Sequence, residues 1–232
     1  MDDKNAAPRV EYYLLMKWPN DFINKVIQGD CLEVMKHIPD GAVDLVLTDP
    51  PYGIKLPRKS NRYGVATNFS RKSDGSDWDD QRPPKEAFDE MFRVSQHQIV
   101  FGANYFWEYF YATPCYLIWD KRVTLPSVPF ADTEFAWTSF NKMSKKYNLI
   151  NHGFISQMNE AREHPTQKPL ALFKSILIDF SNEGDLILDP FLGSGTTVVA
   201  AKELGRRFIG IEIEPKYCEI ANNRLRQEIL FK

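Results

Sequence analysis

The sequence predicts an α/β fold: a doubly wound, mostly parallel sheet with helices on both faces. Three observations predict it. Short, continuously apolar segments alternate with segments of helical periodicity. Most apolar segments stop at a Gly or Asp turn. The composition, 43% hydrophobic and 26% charged, is that of an ordinary globular chain and excludes global disorder. Continuous apolar strands mark a sheet buried on both faces, and strand–helix alternation makes its connections parallel crossovers.

The elements follow in order. Residues 25–28 are a short strand ending at Gly29-Asp30, and 31–37 are helical. Residues 43–48 form a strand stopped by Asp49-Pro50-Pro51. Residues 84–94 read as a helix with Ala87, Phe88, Met91 and Phe92 as its apolar positions, and 98–101 as a strand ended by Gly102. Residues 105–111 are an aromatic-rich helix, with 115–119 and 134–140 as further strands. Leu170, Phe173, Leu177 and Phe180 recur at helical spacing. A strand at 185–188, a helix at 196–204, a strand at 207–211 and a helix at 215–229 complete the chain. Pro215 suits the first position of that last helix, where no N–H partner is needed, and Tyr217, Ile220, Ala221 and Leu225 give its apolar stripe.

At 232 residues the chain reads as one domain, 1–232, large enough to bury a core without disulfides. Twenty-nine basic and 31 acidic residues give a net charge of −2, which excludes a uniformly cationic protein. No apolar run approaches the roughly 18 residues of a membrane span, and the N-terminus lacks a secretion signal; a cytoplasmic protein is expected. Cys31, Cys115 and Cys218 are scattered, and the four histidines lack ligand-like spacing, so neither a disulfide framework nor a metal is expected. Two stretches depart from the alternation. Residues 53–83 are rich in Ser, Arg, Lys, Asn and Gly, and residues 121–163 are polar and interrupted by Pro126 and Pro129. A loop as long as the first is usually functional or disordered, and the second fits a short recognition insert.

Two motifs carry chemistry. Asp189-Pro190-Phe191-Leu192-Gly193-Ser194-Gly195-Thr196-Thr197 lies between a strand and a helix, where glycines admit a ligand to the backbone. Glu212 ends the next strand 23 positions after Asp189, a spacing suited to ribose hydroxyls. There is no G-x-G-x-x-G and no Gly-Lys-Ser/Thr, so the pattern fits a nucleoside carrying a cationic group better than a pyrophosphate. Asp30, at an earlier strand end, fits either an adenine amino group or a helix N-cap. The second motif is Asp49-Pro50-Pro51-Tyr52. An exocyclic amine on a nucleobase is a poor nucleophile, because its lone pair is delocalised into the ring. Two acceptors on its two N–H bonds, the Asp49 carboxylate and the Pro50 carbonyl, would turn it toward tetrahedral geometry. The prolines pre-orient both acceptors, and Tyr52 supplies a ring for stacking.

Together and in this order, these segments resemble a known family: the DNA amino-methyltransferases of the β arrangement, which use S-adenosylmethionine (SAM). Asp49-Pro50-Pro51-Tyr52 is similar to the family's catalytic tetrapeptide and residues 189–197 to its SAM loop. His164-Pro165-Thr166-Gln167-Lys168-Pro169 resembles the segment before the helix that packs on the methionine end of SAM. Gly29-Asp30-Cys31-Leu32-Glu33 resembles the segment at the adenine. The resemblance implies a Rossmann-like sheet of seven strands in permuted order, and no metal. It implies catalysis by Asp49, Pro50, Pro51 and Tyr52 on a base flipped out of the duplex. It implies SAM held by Asp30, Cys31, Lys168, Asp189, Phe191, Gly193, Ser194, Gly195, Thr196 and Glu212, with His164 orienting the Lys168 segment. Asp at position 49 is typical of members that methylate adenine N6; cytosine N4 is the alternative. RNA or a protein amide as acceptor, or a catalytically silent DNA-binding subunit, fits Asp49, the motif order and the complete glycine turn less well. Double-stranded DNA is the implied partner, a homodimer and a cognate restriction endonuclease are family expectations, and the location is the cytoplasm at the nucleoid.

The charge distribution bears on DNA. From Gly53 to Ser73 there are six basic residues, Lys55, Arg58, Lys59, Arg62, Arg71 and Lys72, and no acid, interleaved with Tyr63 and Phe69. This loop starts directly after Tyr52 and is expected to be a mobile clamp on the strand around the target base. Lys142, Lys145 and Lys146 form a second, weaker cluster within the 121–163 insert. Phe106, Trp107, Tyr109 and Phe110 are expected to pack a helix, and Trp119 and Trp137 to lie in the core.

Overall fold

The computed structural model describes residues 13–53, 82–121, 131–149, 151–152, 155–156 and 167–227. The order of elements is β1 (Lys25–Gln28), α1 (Cys31–Met35), β2 (Val43–Thr48), α2 (Lys85–Val94), β3 (Ser95–Phe101), β4 (Tyr116–Asp120), β5 (Thr133–Thr138) and β6 (Lys145–Asn148). A two-stranded ribbon of β7 (Asn151–His152) and β8 (Ile155–Ser156) comes next. The chain then forms α3 (Leu170–Phe180), β9 (Leu186–Asp189), α4 (Thr196–Glu203), β10 (Arg207–Glu212) and α5 (Pro215–Arg226).

Eight strands make one sheet in the order β1-β10-β9-β2-β3-β5-β4-β6. Five neighbouring pairs are parallel, and β5 alone runs against both of its neighbours. The sheet thus has one strand more than the seven expected. The extra one is β6, whose sequence Lys-Lys-Tyr-Asn buries only Tyr147. An edge strand needs no apolar run, and lysines at an edge block pairing with other chains, so apolar periodicity does not reveal it. β5 and β6 both fall within 121–163, so part of the expected insert is built into the sheet. The expected helix at 105–111 is instead two 3-10 turns, Ala103–Tyr105 and Trp107–Tyr109.

Both faces of the sheet are buried, and neighbouring residues of one strand serve opposite cores. Leu45 and Leu47 of β2 point into a cluster with Phe173, Ile176 and Leu177 of α3 and Ala200 of α4. Val46 between them points into the other, with Val34 of α1 and Phe88 and Met91 of α2. Among the described residues no helix is long and apolar enough to cross a membrane.

The topology locates the site. β2 and β9 are central neighbours in register, Leu45 opposite Ile187 and Val46 opposite Leu188. From β9 the sheet continues through β10 toward one edge, and from β2 through β3 toward the other. Such a switch point leaves a crevice at the carboxyl ends of its two strands, and those ends here are Thr48-Asp49 and Asp189. Leu188 on β9 is fully buried. Leu188→Ala is therefore expected to lower unfolding free energy by about 2–5 kcal/mol, read as a shift in the urea midpoint at constant slope.

Candidate active site

One carboxylate joins the two motifs. Asp189 is 3% exposed. Its Oδ1 accepts from Thr48 Oγ1 at 2.6 Å and from the Phe191 amide at 3.1 Å, and its Oδ2 accepts from Thr197 Oγ1 at 2.5 Å. Burial pushes its pKa up to about 6, against the lowering effect of those hydrogen bonds. With three internal donors, Asp189 ties β2, the glycine turn and α4 together. It supports the glycine-turn half of the crevice from beneath.

The turn itself needs glycine for two different reasons. Gly193 and Gly195 both adopt positive φ, +54° and +90°. At Gly195 a Cβ would also stand 2.7 Å from the Cβ of Ala221 on α5, so α4 and α5 can approach only over glycine. At Gly193 a Cβ would meet open space. The Gly193 amide donates to Glu212 Oε2 at 2.7 Å and the Glu214 amide to Oε1 at 2.8 Å. Burial pushes Glu212 up to about 7. Arg224 of α5 donates to the Ser194 carbonyl at 2.7 Å and lies within 3.4 Å of the Ser194 and Thr196 hydroxyls. The β1 turn joins through the Gly29 amide, 2.9 Å from the Glu212 carbonyl.

Asp49 stands at the head of a charge array in which Lys168 is buried and Asp49, Glu134 and Lys121 are half-buried. Its Oδ1 accepts from the Tyr52 hydroxyl at 2.5 Å and its Oδ2 from the Lys168 ammonium. Lys168 Nζ also lies 3.1 Å from Glu134 Oε2, and Lys121 Nζ lies 2.6 Å from Glu134 Oε1. Burial raises the pKa of Asp49, only partly offset by Lys168. Burial acts on Glu134 in the same sense but is outweighed by Lys168 and Lys121, so its pKa falls. The difference follows from one ammonium against two. Desolvation of Lys168 is likewise outweighed by Asp49 and Glu134, and its pKa rises. The same segment grips the glycine turn: Ser194 Oγ donates to Gln167 Oε1 at 3.2 Å, and Thr196 Oγ1 to the Lys168 carbonyl at 3.5 Å. Tyr52 stacks on Tyr105 with centroids 4.7 Å apart. Gly102 makes room for it, since a Cβ there would fall 2.0 Å from Tyr52 Cε1.

The predicted residues Asp49, Tyr52, Lys168, Asp189, Gly193–Thr196 and Glu212 therefore meet at the carboxyl ends of the central strands, with Pro50 buried and Pro51 half-buried. Lys168 differs from expectation in reaching Asp49 as well as the glycine turn. Asp30 caps α1, accepting from the Leu32 amide at 2.8 Å, and burial pushes the neighbouring Cys31 thiol up to about 12. Phe191 packs beside the core on the α1–α2 face. Sequence reasoning missed Thr48, Lys121, Glu134 and Arg224, single polar residues that no motif marks. Gly102 carried a signal, as the glycine ending a predicted strand. Lys55, Arg58, Lys59, Arg62, Arg71, Lys72 and His164 lie outside the described residues. Trp119 and Trp137 are core residues as expected, but of the aromatic cluster Trp107 is 60% exposed. Lys145 pairs with Asp179 and Lys146 with Asp120, so the second basic cluster is partly neutralised.

Comparison with known proteins gives this geometry a lineage. A profile of a DNA methylase family, covering N6 and N4 enzymes, matches residues 118–223. The type II methyltransferase M.HinfI of Haemophilus influenzae is 29% identical over 90% of this chain and 70% of its own. The solved M1.HpyAVI–SAM complex is 26% identical, with a TM-score of 0.55 over 87% of this chain and 98% of its own. Over residues 118–223 the chain is thus similar to N6/N4 DNA methylases, and along most of its length to M.HinfI. The cytosine-N4-specific PvuII DNA methyltransferase shares the fold at 17% identity, with a TM-score of 0.60 over 89% of this chain and 87% of its own.

The Asp189 and Glu212 carboxyls both titrate above the ordinary carboxylate range. The folded state thus favours their protonated forms. Their contribution to stability is complete below about pH 4 and is lost as pH rises through about 6 and 7. Without added ligand, the melting temperature of Glu212→Gln is expected to fall less between pH 5 and 8 than that of the unsubstituted protein, measured by scanning calorimetry. An unchanged slope would remove Glu212 as the titrating group.

Proposed function

We propose that this protein transfers a methyl group from SAM to the exocyclic N6 amine of an adenine flipped out of double-stranded DNA. The observation that carries the reading is the hydrogen-bonded seam from Thr48 to Asp189. It brings the acceptor pair at Asp49-Pro50 and the glycine turn to one crevice.

The residues of the glycine half fit a nucleoside. Glu212 stands half-buried at the end of β10, and Ile213 beside it exposes an apolar side chain. Gln28, opposite Glu212 in register, has a buried Nε2 with no hydrogen-bond partner among the described residues. In this reading Asp30, Cys31, Phe191, Glu212 and Gly193–Thr196 surround SAM, and Asp189 and Lys168 hold that wall in place. SAM, when bound, supplies an electrophilic methyl group on a positively charged sulfur. The Asp49 carboxylate and Pro50 carbonyl accept hydrogen bonds from the two amine N–H groups, which turns the nitrogen lone pair out of the ring plane toward that methyl. Tyr52, braced by Tyr105 and Phe106, is the ring against which the flipped base stacks. As charge develops on the amine nitrogen, the buried Asp49 carboxylate stabilises it.

Adenine is our reading of the acceptor because Asp occupies position 49. Labelled SAM incubated with unmethylated DNA, which is then digested to nucleosides, tests it. Label is expected in N6-methyldeoxyadenosine, whereas label in N4-methyldeoxycytidine would move the assignment to cytosine. Asp49→Ala is expected to keep SAM binding while lowering transfer by about 100-fold or more, the scale of losing one preorganised transition-state partner. We also assign the basic residues between Lys55 and Lys72 to the DNA phosphates. Charge reversal at Arg58, Lys59 and Arg62 is expected to weaken DNA binding and to flatten its dependence on salt, measured by fluorescence anisotropy.

A further inference from the structure

Both oxygens of Asp49 hold donors in this structure: the Tyr52 hydroxyl on Oδ1 and the Lys168 ammonium on Oδ2. A nucleobase amine is a neutral donor and competes poorly with an ammonium for the same carboxylate. The array offers the ammonium a second partner. Glu134 Oε2 lies 3.1 Å from Lys168 Nζ, yet it is buried without a well-directed hydrogen bond. Its other oxygen is anchored by Lys121 at 2.6 Å. The register explains how Glu134 comes to be there. Phe101, the last residue of β3, lies opposite Ala136, so Glu134 projects two residues beyond the end of β3 and over the crevice. The array is balanced, with Asp49 and Glu134 against Lys168 and Lys121. Turning Lys168 from Asp49 to Glu134 keeps the net charge of the array at zero, and Asp49 then holds the Tyr52 hydroxyl and the incoming amine in place of the ammonium.

We propose that Glu134 is a positioning residue for the methyl acceptor: it takes over the Lys168 ammonium when the target amine binds Asp49. This inference rests on the methyltransferase reading above. It makes Lys168 a guard that neutralises Asp49 in the free protein and Glu134 the residue that releases it. Glu134 acts through Lys168 and touches neither substrate.

The test is steady-state transfer to PCR-amplified, hence unmodified, genomic DNA by variants at Glu134 and Lys168. Glu134→Gln leaves Lys168 committed to Asp49. It is expected to lower kcat/KM for DNA about tenfold through a higher KM, the scale of a charged hydrogen bond lost, with SAM affinity by calorimetry held within about twofold. Glu134→Asp, which keeps the charge, is expected to recover kcat/KM to within about threefold. Lys168→Met removes the ammonium, so adding Glu134→Gln to it should cost nothing further. A purely structural Glu134 predicts otherwise: equal losses in both Lys168 backgrounds, or loss of SAM binding in step with transfer. Either result, or an unchanged KM in Glu134→Gln, overturns the proposal. If Lys168→Met does not fold, the Asp variant decides, and Asp no better than Gln overturns it. Failure of the unsubstituted protein to methylate any DNA would sink the parent reading, whereas active protein indifferent to Glu134 removes this inference alone.

Discussion

The Asp189 carboxylate sits where the two halves of the molecule meet. It lies at the carboxyl end of β9, buried, with the Thr48 hydroxyl, the Thr197 hydroxyl and the Phe191 amide all donating to it. A carboxyl group withdrawn from water is costly unless its oxygens are satisfied, and the geometry that satisfies it is also the geometry of the site. The Thr48 bond sets the end of β2, and therefore Asp49, against the glycine turn. The Thr197 and Phe191 bonds set that turn at the start of α4. One interaction thereby fixes the distance between two motifs that are far apart in the chain.

Around this seam the two halves use charge differently. On the glycine side, backbone amides satisfy a single carboxylate, Glu212, which organises the turn through Gly193 and Glu214. On the Asp49 side, two carboxylates and two lysines share one half-buried array drawn from the ends of β2, β4 and β5 and the segment before α3. The Lys168 segment belongs to both sides. Its side chain reaches Asp49, while its carbonyl and the neighbouring Gln167 take hydrogen bonds from the turn. Two consecutive residues before α3, Gln167 and Lys168, thus touch both halves.

Close approach governs the aromatic wall. Tyr52 sits against Gly102 and stacks on Tyr105, and Phe106 behind it is wholly buried against Phe88. The 3-10 turns at 103–105 and 107–109 make this possible. Phe106, at the junction of the two turns, enters the core, while Trp107 begins the second turn at the surface.

Local chemistry was enough to read the central strands, the helices that cover them, the glycine turn and the Asp49 tetrapeptide. Each is determined by residues adjacent in the chain: continuous apolar runs for strands buried on both faces, positive φ for Gly193 and Gly195, and proline restraint after Asp49. What the sequence left undecided was pairing between distant polar residues. Glu134 looks like any acid at the start of a strand, and Lys168 like part of a cofactor segment. Only the register of β5 against β3, and the placement of β9 beside β2, bring them to Asp49. Buried charges take their meaning from neighbours that the fold supplies, and those neighbours here lie more than 80 positions away. The edge strand β6 escaped for the related reason that a strand with one face to water and lysines along it carries no apolar signature, and sheet membership is conferred by β4 alone.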